Sequence, residues 1–223
     1  MKRLLAAVSL AIAIPLAAAT PRPWTSVATP APQGSYVIGN PKARVKLIEY
    51  VSYTCPHCGH FAADSAATLK GKFVASGSTS VEIRSSVHDK YDLVAATLAR
   101  CSGSAVFPKL HDAFFAQQST WLDRAVNFDS ANAQRISTYP VADQYRALAD
   151  GAGLSDIAKA SGMTDAGVRA CLANPATVQK TLDVAQAMSG KIKGTPSFEL
   201  DGKLIENTDW AKLEPMLRAA GAK

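Results

Sequence analysis

Two cysteines, separated by Pro56 and His57, are the residues of this 223-residue sequence best suited to chemistry. A pair such as Cys55-x-x-Cys58 can bind zinc, form a structural disulfide, or cycle between dithiol and disulfide. A structural zinc site needs four ligands, and the chain has no second pair of this kind. A site completed by His57 and His60 is conceivable, although His57 lies inside the motif, where its geometry is poor for binding beside both thiolates.

The surrounding sequence favours the redox interpretation. A β-rich apolar run at 45–51 leads into the pair, helical spacing follows it, and Pro56 suits the first position of a helix. Cys55 is therefore expected at a helix N-terminus, where unpaired N–H groups stabilise a thiolate, and a protonated His57 would add positive charge. We expect Cys55 to be the exposed, attacking sulfur and Cys58, one turn inward, the resolving thiol. A structural disulfide is the remaining alternative.

The elements around this motif predict an α/β core interrupted by helices. A second strand is predicted at 81–87, and the pattern from 90 to 190 is helical throughout, with Asp92 as a candidate N-cap. Strand signals return only near the end of the chain, which predicts strands at 197–200 and 203–205 and a helix at 210–220. The order is β-α-β, a large helical insertion, and β-β-α.

The N-terminus has the pattern of a secretory signal peptide. Lys2 and Arg3 precede an apolar stretch that ends in the A-x-A pattern of Ala17 and Ala19. Cleavage would remove residues 1–19 and lower the formal net charge from +6 to +4, whereas an uncleaved anchor is the alternative. We expect an exported protein in a compartment where disulfides persist.

Composition excludes several other classes of protein. At 48% hydrophobic residues the chain is too apolar to be disordered, and its positive charges are scattered without a basic run that would indicate nucleic-acid binding. Residues 20–34 are rich in proline and predict an extended or disordered lead-in with no room for a dimerisation domain. We therefore expect a monomer.

Cys101 and Cys171 both fall in predicted helices of the insertion. An even remainder of two cysteines in an oxidising compartment favours a disulfide, and two buried thiols are the alternative. A bridge across 70 residues would stabilise the fold by about 4 kcal/mol in the loop-entropy model. We interpret it as structural because neither cysteine lies in a CxxC motif.

Four segments of the chain resemble the bacterial periplasmic DsbA family of thioredoxin-fold thiol oxidases. They are Gly39-Asn40-Pro41, the run from Glu49 to Phe61 that contains CPHC, Leu110-His111-Asp112-Ala113-Phe114-Phe115, and Gly194-Thr195-Pro196-Ser197-Phe198. The resemblance spans about Ser35 to the C-terminus, and with the element order it implies a thioredoxin-like domain made of 35–89 and 191–223 and a helical insertion domain at 90–190.

The resemblance also implies roles for three residues outside the cysteine pair. Pro196 is expected in the cis form, packed against the CxxC motif, and the backbone of Thr195 is expected to pair with an extended substrate peptide. Glu49 is expected near the buried cysteine, where it would shuttle that thiol's proton; a solvated edge position is the alternative. Arg84 is a possible partner for Glu49, although an arginine cannot relay protons as a lysine can.

The expected function is that of a periplasmic thiol:disulfide oxidoreductase that introduces disulfides into exported proteins through Cys55 and Cys58. The resemblance implies reoxidation by a membrane partner of the DsbB type. Neither a cofactor nor a metal is predicted. A disulfide isomerase or reductase on the same fold, and a non-catalytic metal-binding or chaperone module, are the alternatives.

Overall fold

A mixed six-stranded sheet forms the centre of the computed structural model, which describes residues 23–32 and 36–223. The predicted signal peptide lies outside the described residues. The strands are β1 (Ala28–Pro30), β2 (Tyr36–Gly39), β3 (Val45–Val51), β4 (Thr79–Ser85), β5 (Ser197–Leu200) and β6 (Lys203–Ile205), in the spatial order β1-β2-β4-β3-β5-β6. Only β3 and β4 are parallel, and the other described pairs are antiparallel.

Helices connect the strands and fill the predicted insertion. Helix α1 (Pro56–Ser65) and the π-helical segment Ala66–Val74 link β3 to β4, and α9 (Trp210–Ala220) follows β6. Between β4 and β5 lie α2 (Lys90–Cys101), α3 (Phe107–Ala116), α4 (Gln118–Ile136), α5 (Val141–Ala152), α6 (Leu154–Ser161), α7 (Asp165–Ala173) and α8 (Pro175–Gln186). This is a thioredoxin fold with a large helical insertion, as the sequence predicts.

Both faces of the sheet are covered by apolar side chains. Phe61 of α1 contacts Phe198 of β5 with ring centroids 4.6 Å apart, and Trp210 of α9 packs against Phe61 on the same face. On the opposite face Tyr50 of β3 packs with Met188, which follows α8. Alternating residues of β3 therefore face two different layers, because successive side chains of a strand point to opposite faces.

The lead-in at 20–34, which the sequence predicts to be extended or disordered, is ordered where the structure describes it. Residues 23–32 contain a 3-10 turn and strand β1, which pairs antiparallel with β2 so that Ala28 lies opposite Ile38. Pro30 is tolerated there because β1 is the edge strand, where the missing N–H breaks no ladder. The rest of the segment lies outside the described residues.

The prediction that Asp92 caps a helix is also wrong. Helix α2 begins at Lys90, and Asp89 is its N-cap, accepting hydrogen bonds from the backbone N–H groups of Tyr91 and Asp92. Asp92 is fully buried, and its carboxylate accepts hydrogen bonds from backbone groups outside its helix. By sequence alone, either of these two aspartates could be the N-cap of α2. Only the tertiary contacts show which of them caps the helix.

Helices α3 and α4 lie end to end and are separated only by Gln117. The chain leaves helical geometry at this residue, where φ is −108° and ψ is 14°. Helix α4 has 19 residues and buries only four of them, so its apolar period is weak. Within the described part of the chain, no helix is both long and apolar enough to cross a bilayer.

Cys101 and Cys171 are joined by a disulfide between α2 and α7, with their Cα atoms 5.9 Å apart. Most buried apolar residues of the sheet and of the insertion form one continuous cluster, and a smaller cluster around Tyr50 covers the other face. The bridge therefore ties together two insertion helices that already share the same core.

Replacing both Cys101 and Cys171 by alanine is expected to lower the free energy of unfolding by about 4 kcal/mol, because the bridge closes a loop of 70 residues. Urea unfolding under non-reducing conditions measures the change. The matched control replaces Cys55 and Cys58, which are free thiols here, by alanine. A loss below about 1 kcal/mol would contradict the stabilising role.

Candidate active site

Cys55 occupies the N-cap position of α1, between the end of β3 and Pro56 at the first helical position. Its backbone is extended, with φ −82° and ψ 117°, and its carbonyl accepts the N–H groups of Cys58 at 3.1 Å and Gly59 at 3.3 Å. A proline at the start of a helix costs no hydrogen bond, because the first N–H groups have no partner within the helix. The local sequence therefore places a sulfur at the positive end of the helix.

The two sulfurs have opposite environments. Cys55 is half-buried, whereas Cys58 is fully buried, and both are free thiols. Hydrogen bonding from the Cys58 thiol, with smaller contributions from the Thr195 hydroxyl and the N–H groups of Cys58 and His57, lowers the pKa of Cys55 to about 4 against the opposing effect of burial. The same bond to Cys55, together with burial, raises the pKa of Cys58. This geometry favours a thiolate on the outer sulfur and a thiol on the inner one.

The Thr195–Pro196 peptide bond is cis and lies against the outer sulfur. The Sγ atom of Cys55 is 3.2 Å from the Thr195 carbonyl oxygen, to which it can donate when protonated. The Thr195 hydroxyl is buried and has no hydrogen-bond partner among the described residues while Cys55 is a thiol, but it favours the thiolate and so lowers the Cys55 pKa. The structure thus brings Cys55 together with Thr195 and Pro196, although Cys55 and Thr195 are 140 residues apart in sequence.

His57 lies on the exposed rim of this arrangement. Its ring is exposed and stands 6.5 Å from the ring of His60, while its backbone N–H is the group that acts on the Cys55 sulfur. With Thr195, Pro196 and Asn207 it lines a cleft of about 340 Å³ next to the cis-proline. The cleft is large enough for a side chain of a bound peptide.

Glu49 is buried in β3 and has no bond to Arg84. In the sheet register it lies opposite Ile83 and Phe198, whereas Arg84 points to the other face and pairs with Glu82, Nε to Oε1, at 2.7 Å. The prediction of Arg84 as its partner is therefore wrong, because neighbouring residues of a strand face opposite sides. Burial raises the pKa of Glu49 to about 8.

A cavity of about 80 Å³ separates Glu49 from helix α1. Ser65 of α1 and the buried His111 of α3 also line it, and an ion pair between Lys70 and Asp112 lies at its edge. Polar groups from three elements therefore surround a space large enough for water. Glu49 faces this space and not a solvated edge of the sheet.

The loop between β3 and α1 is held by polar side chains that the sequence analysis did not identify as part of the site. Asp92 accepts a hydrogen bond from the Tyr53 N–H at 2.8 Å, and the Tyr53 hydroxyl bonds His111 Nδ1 at 3.0 Å. Gln118 donates to the carbonyl oxygens of Tyr53 and Cys55. One signal for Asp92 was available: it is a charged residue among apolar ones in α2.

The burial of Asp92 raises its pKa to about 6, although hydrogen bonds from the Ser52 hydroxyl and the N–H groups of His88 and Tyr53 act in the opposite direction.

Across residues 23–32 and 36–223, no group of three or more histidine, cysteine, aspartate or glutamate residues is arranged to hold a metal ion.

Comparisons with known proteins agree with this geometry. Residues 32–219 match the family described as thioredoxin. A protein-disulfide isomerase from Novosphingobium aromaticivorans is 36% identical, with a TM-score of 0.75 over 83% of this chain and 96% of that one. The alpha-DsbA1 protein of Wolbachia pipientis shares the fold, with a TM-score of 0.65 at 22% identity over 86% of this chain and 92% of that one. This chain belongs to the thioredoxin family.

Relatives of this thioredoxin-family chain in Rickettsia are named putative protein-disulfide oxidoreductases. The protein of Rickettsia typhi is 31% identical over 175 residues, which are 77% of this chain and 56% of the relative. The protein of Rickettsia prowazekii has the same identity and the same coverage. This chain therefore spans just over half the length of these curated relatives.

Replacing Glu49 by glutamine is expected to change how stability depends on pH. The folded protein keeps the Glu49 proton up to a pKa of about 8, whereas the unfolded chain releases it near 4.5, so the wild type loses stability as pH rises between these values. Relative to the Glu49→Gln variant, the loss from pH 4.5 to pH 8.5 should total about 4 kcal/mol.

Urea unfolding of both reduced proteins across this pH range measures the difference, in which the contributions of other groups cancel. The control is Glu214→Gln, because Glu214 forms a surface ion pair with Arg218. A difference between wild type and Glu49→Gln that stays constant with pH would show that Glu49 is not protonated in the folded protein.

Proposed function

We propose that this chain is a thiol:disulfide oxidoreductase that introduces disulfides into exported proteins through Cys55 and Cys58. The observation that carries the proposal is the asymmetry of the two sulfurs beside a cis-proline. Cys55 is accessible and surrounded by donors that stabilise its thiolate, whereas Cys58 is buried directly behind it. A stabilised thiolate favours the reduced form of the pair, so the disulfide form is a strong oxidant.

The exchange proceeds in two steps. In the disulfide form, a substrate thiolate attacks Cys55 Sγ, the bond to Cys58 breaks, and a mixed disulfide forms. A second substrate thiolate then attacks the substrate sulfur of that mixed disulfide and releases Cys55 as the stabilised thiolate. Overall, two electrons pass from two substrate thiols to the cysteine pair, and the substrate leaves with a new disulfide.

Glu49 is proposed as the proton donor to Cys58 in the first step. Cys58 leaves as a buried thiolate with a raised pKa, and it must gain a proton in surroundings that disfavour its charge. Glu49 is also buried, retains a proton near neutral pH, and faces α1 across the cavity that Ser65 lines. Water in that cavity would carry the proton between the two groups.

The substrate is proposed to bind as an extended peptide along Thr195. Because Pro196 has no N–H, the carbonyl and N–H of Thr195 are the backbone groups that a neighbouring strand would use. The cleft that His57 and Asn207 line lies beside them and would receive a substrate side chain. Folding exported proteins, whose thiols lie in extended segments, are substrates of this kind.

We further propose that the protein acts in the periplasm as a monomer and is reoxidised by a membrane partner of the DsbB type. The signal-peptide pattern of residues 1–19 and the Cys101–Cys171 disulfide support an oxidising, exported location. The domain division follows the resemblance, with residues 35–89 and 191–223 as the thioredoxin-like domain and 90–190 as the helical insertion.

A disulfide isomerase is the second candidate, because the related protein from Novosphingobium aromaticivorans is named a protein-disulfide isomerase. An isomerase and an oxidase can share the same cysteine pair and differ in the substrate on which they act. The two functions are therefore separated by giving the protein two forms of one substrate.

The protein in its disulfide form is expected to oxidise reduced ribonuclease A rapidly, while it reactivates scrambled ribonuclease A slowly. Recovery of ribonuclease activity measures both reactions. Cys55→Ser should abolish the oxidation, because Cys58, the other free thiol, is buried, and His60→Ala should retain it. Strong activity on the scrambled substrate alone would favour the isomerase. Recovery that is no faster with the wild type than with Cys55→Ser would favour a non-catalytic module.

A further inference from the structure

The loop that carries Cys55 is held mainly from outside the sheet. Strand β3 ends at Val51 and α1 begins at Pro56, so the intervening residues have no strand partner of their own. The side chain of Gln118, the first residue of α4, reaches this loop from the helical insertion. Its Nε2 atom lies 2.8 Å from the Tyr53 carbonyl oxygen and 2.9 Å from the Cys55 carbonyl oxygen.

The orientation of the Gln118 carboxamide follows from the two carbonyl groups that it meets. Both are acceptors, and only the NH₂ group of an amide can donate two hydrogen bonds. The opposite orientation would place an amide oxygen against two carbonyl oxygens in a buried site, since only 8% of Gln118 is exposed. The nitrogen therefore faces the loop, and Oε1 points toward α1.

Gly59 provides the space that this orientation needs. A Cβ atom at Gly59 would lie 2.2 Å from Gln118 Oε1 and 3.0 Å from its Cδ. The backbone of Gly59 is not in the left-handed region, and glycine weakens a helix relative to alanine. Its absence of a side chain is therefore explained by the Gln118 carboxamide and not by the conformation of α1.

The Cys55 carbonyl links this contact to the reactive sulfur. It accepts the first hydrogen bonds of α1, from Cys58 and Gly59, in addition to the bond from Gln118. The plane of the Cys55–Pro56 peptide determines how Cys55 Sγ lies relative to the N–H groups of the first helical turn. A donor that holds this plane therefore holds the sulfur against its stabilising partners.

We propose that Gln118 is a positioning residue, which acts from the helical insertion through the Cys55 carbonyl to set the reactivity of the Cys55 thiolate. The proposal rests on the proposed thiol–disulfide exchange. It assigns Gly59 a specific part in the site, which is to leave room for the Gln118 carboxamide. The insertion would thus influence the reactivity of the Cys55 sulfur, in addition to enlarging the core.

The test combines Gln118→Ala, Gly59→Ala and the double variant. Gln118→Ala removes both donors, and Gly59→Ala displaces the same carboxamide without changing residue 118. Each single variant should lower the equilibrium constant for oxidation of glutathione about tenfold and raise the midpoint of the pH profile of Cys55 alkylation by about one unit. The double variant should match Gln118→Ala, because both changes remove one contact.

Two matched controls accompany these variants. Gln117→Ala changes the same residue type at an exposed neighbouring position, and Gly71→Ala adds a Cβ that meets nothing closer than 3.6 Å. Both should leave the equilibrium constant within twofold of the wild-type value and the pH midpoint of Cys55 alkylation unchanged. Cooperative urea unfolding identifies variants that remain folded, and Gln118→Leu replaces Gln118→Ala if the cavity left by alanine prevents folding.

The proposal is overturned if folded Gln118→Ala and Gly59→Ala proteins keep the wild-type equilibrium constant and alkylation midpoint, or if their effects multiply in the double variant. A loss of stability alone, with both redox measurements unchanged, would assign Gln118 a purely structural role. Alkylation of Cys55 needs no protein substrate. A wild type that fails to oxidise ribonuclease therefore contradicts the proposed function, while the alkylation profiles still decide the role of Gln118.

Discussion

The convergence of hydrogen-bond donors on the Cys55 sulfur is the interaction on which the rest of the structure depends. The Cys58 thiol, the Thr195 hydroxyl and two N–H groups of α1 all favour its charged form. Their effect requires that Cys58 stay protonated behind it, and the hydrogen bond to Cys55 together with burial raises the pKa of Cys58. A shift of the sulfur away from these donors would remove the difference between the two cysteines, on which the proposed oxidising activity depends.

The sheet and the insertion supply different parts of this arrangement. Strand β5 lies beside β3, so the cis-proline loop that precedes β5 is brought to the end of β3 where the cysteine motif begins. The insertion contributes Asp92 and Gln118, which bind the backbone on both sides of Tyr53. Cys55 is consequently positioned by residues from both the sheet and the insertion. The apolar core that the two share holds them in place relative to each other.

The elements nearest the motif were the most predictable. The bounds of β3, of the two C-terminal strands and of α9 follow the sequence closely, because their apolar period is strong and clear turn residues border them. The N-caps at Thr164 and Asn174 are likewise local, since each is a bond from a side chain to a backbone N–H two or three residues ahead. Prediction failed where contacts are distant. Strand β1 is ordered by pairing with β2, and the buried Asp92 carboxylate binds the Tyr53 N–H instead of capping its helix.

The sequence by itself determined the reactive motif, the order of the elements and the family, because these depend on residue type and local spacing. The tertiary structure alone decided which polar groups reach the motif. Gln118 and Gly59 are 59 positions apart, and nothing in either local sequence indicates that one fills the space that the other leaves. Arg84 does not pair with Glu49, as was predicted, because successive side chains of a strand point to opposite faces. Ile83, and not Arg84, lies opposite Glu49. Such pairings arise only when the chain is folded, because hydrogen bonds and burial depend on distance in space.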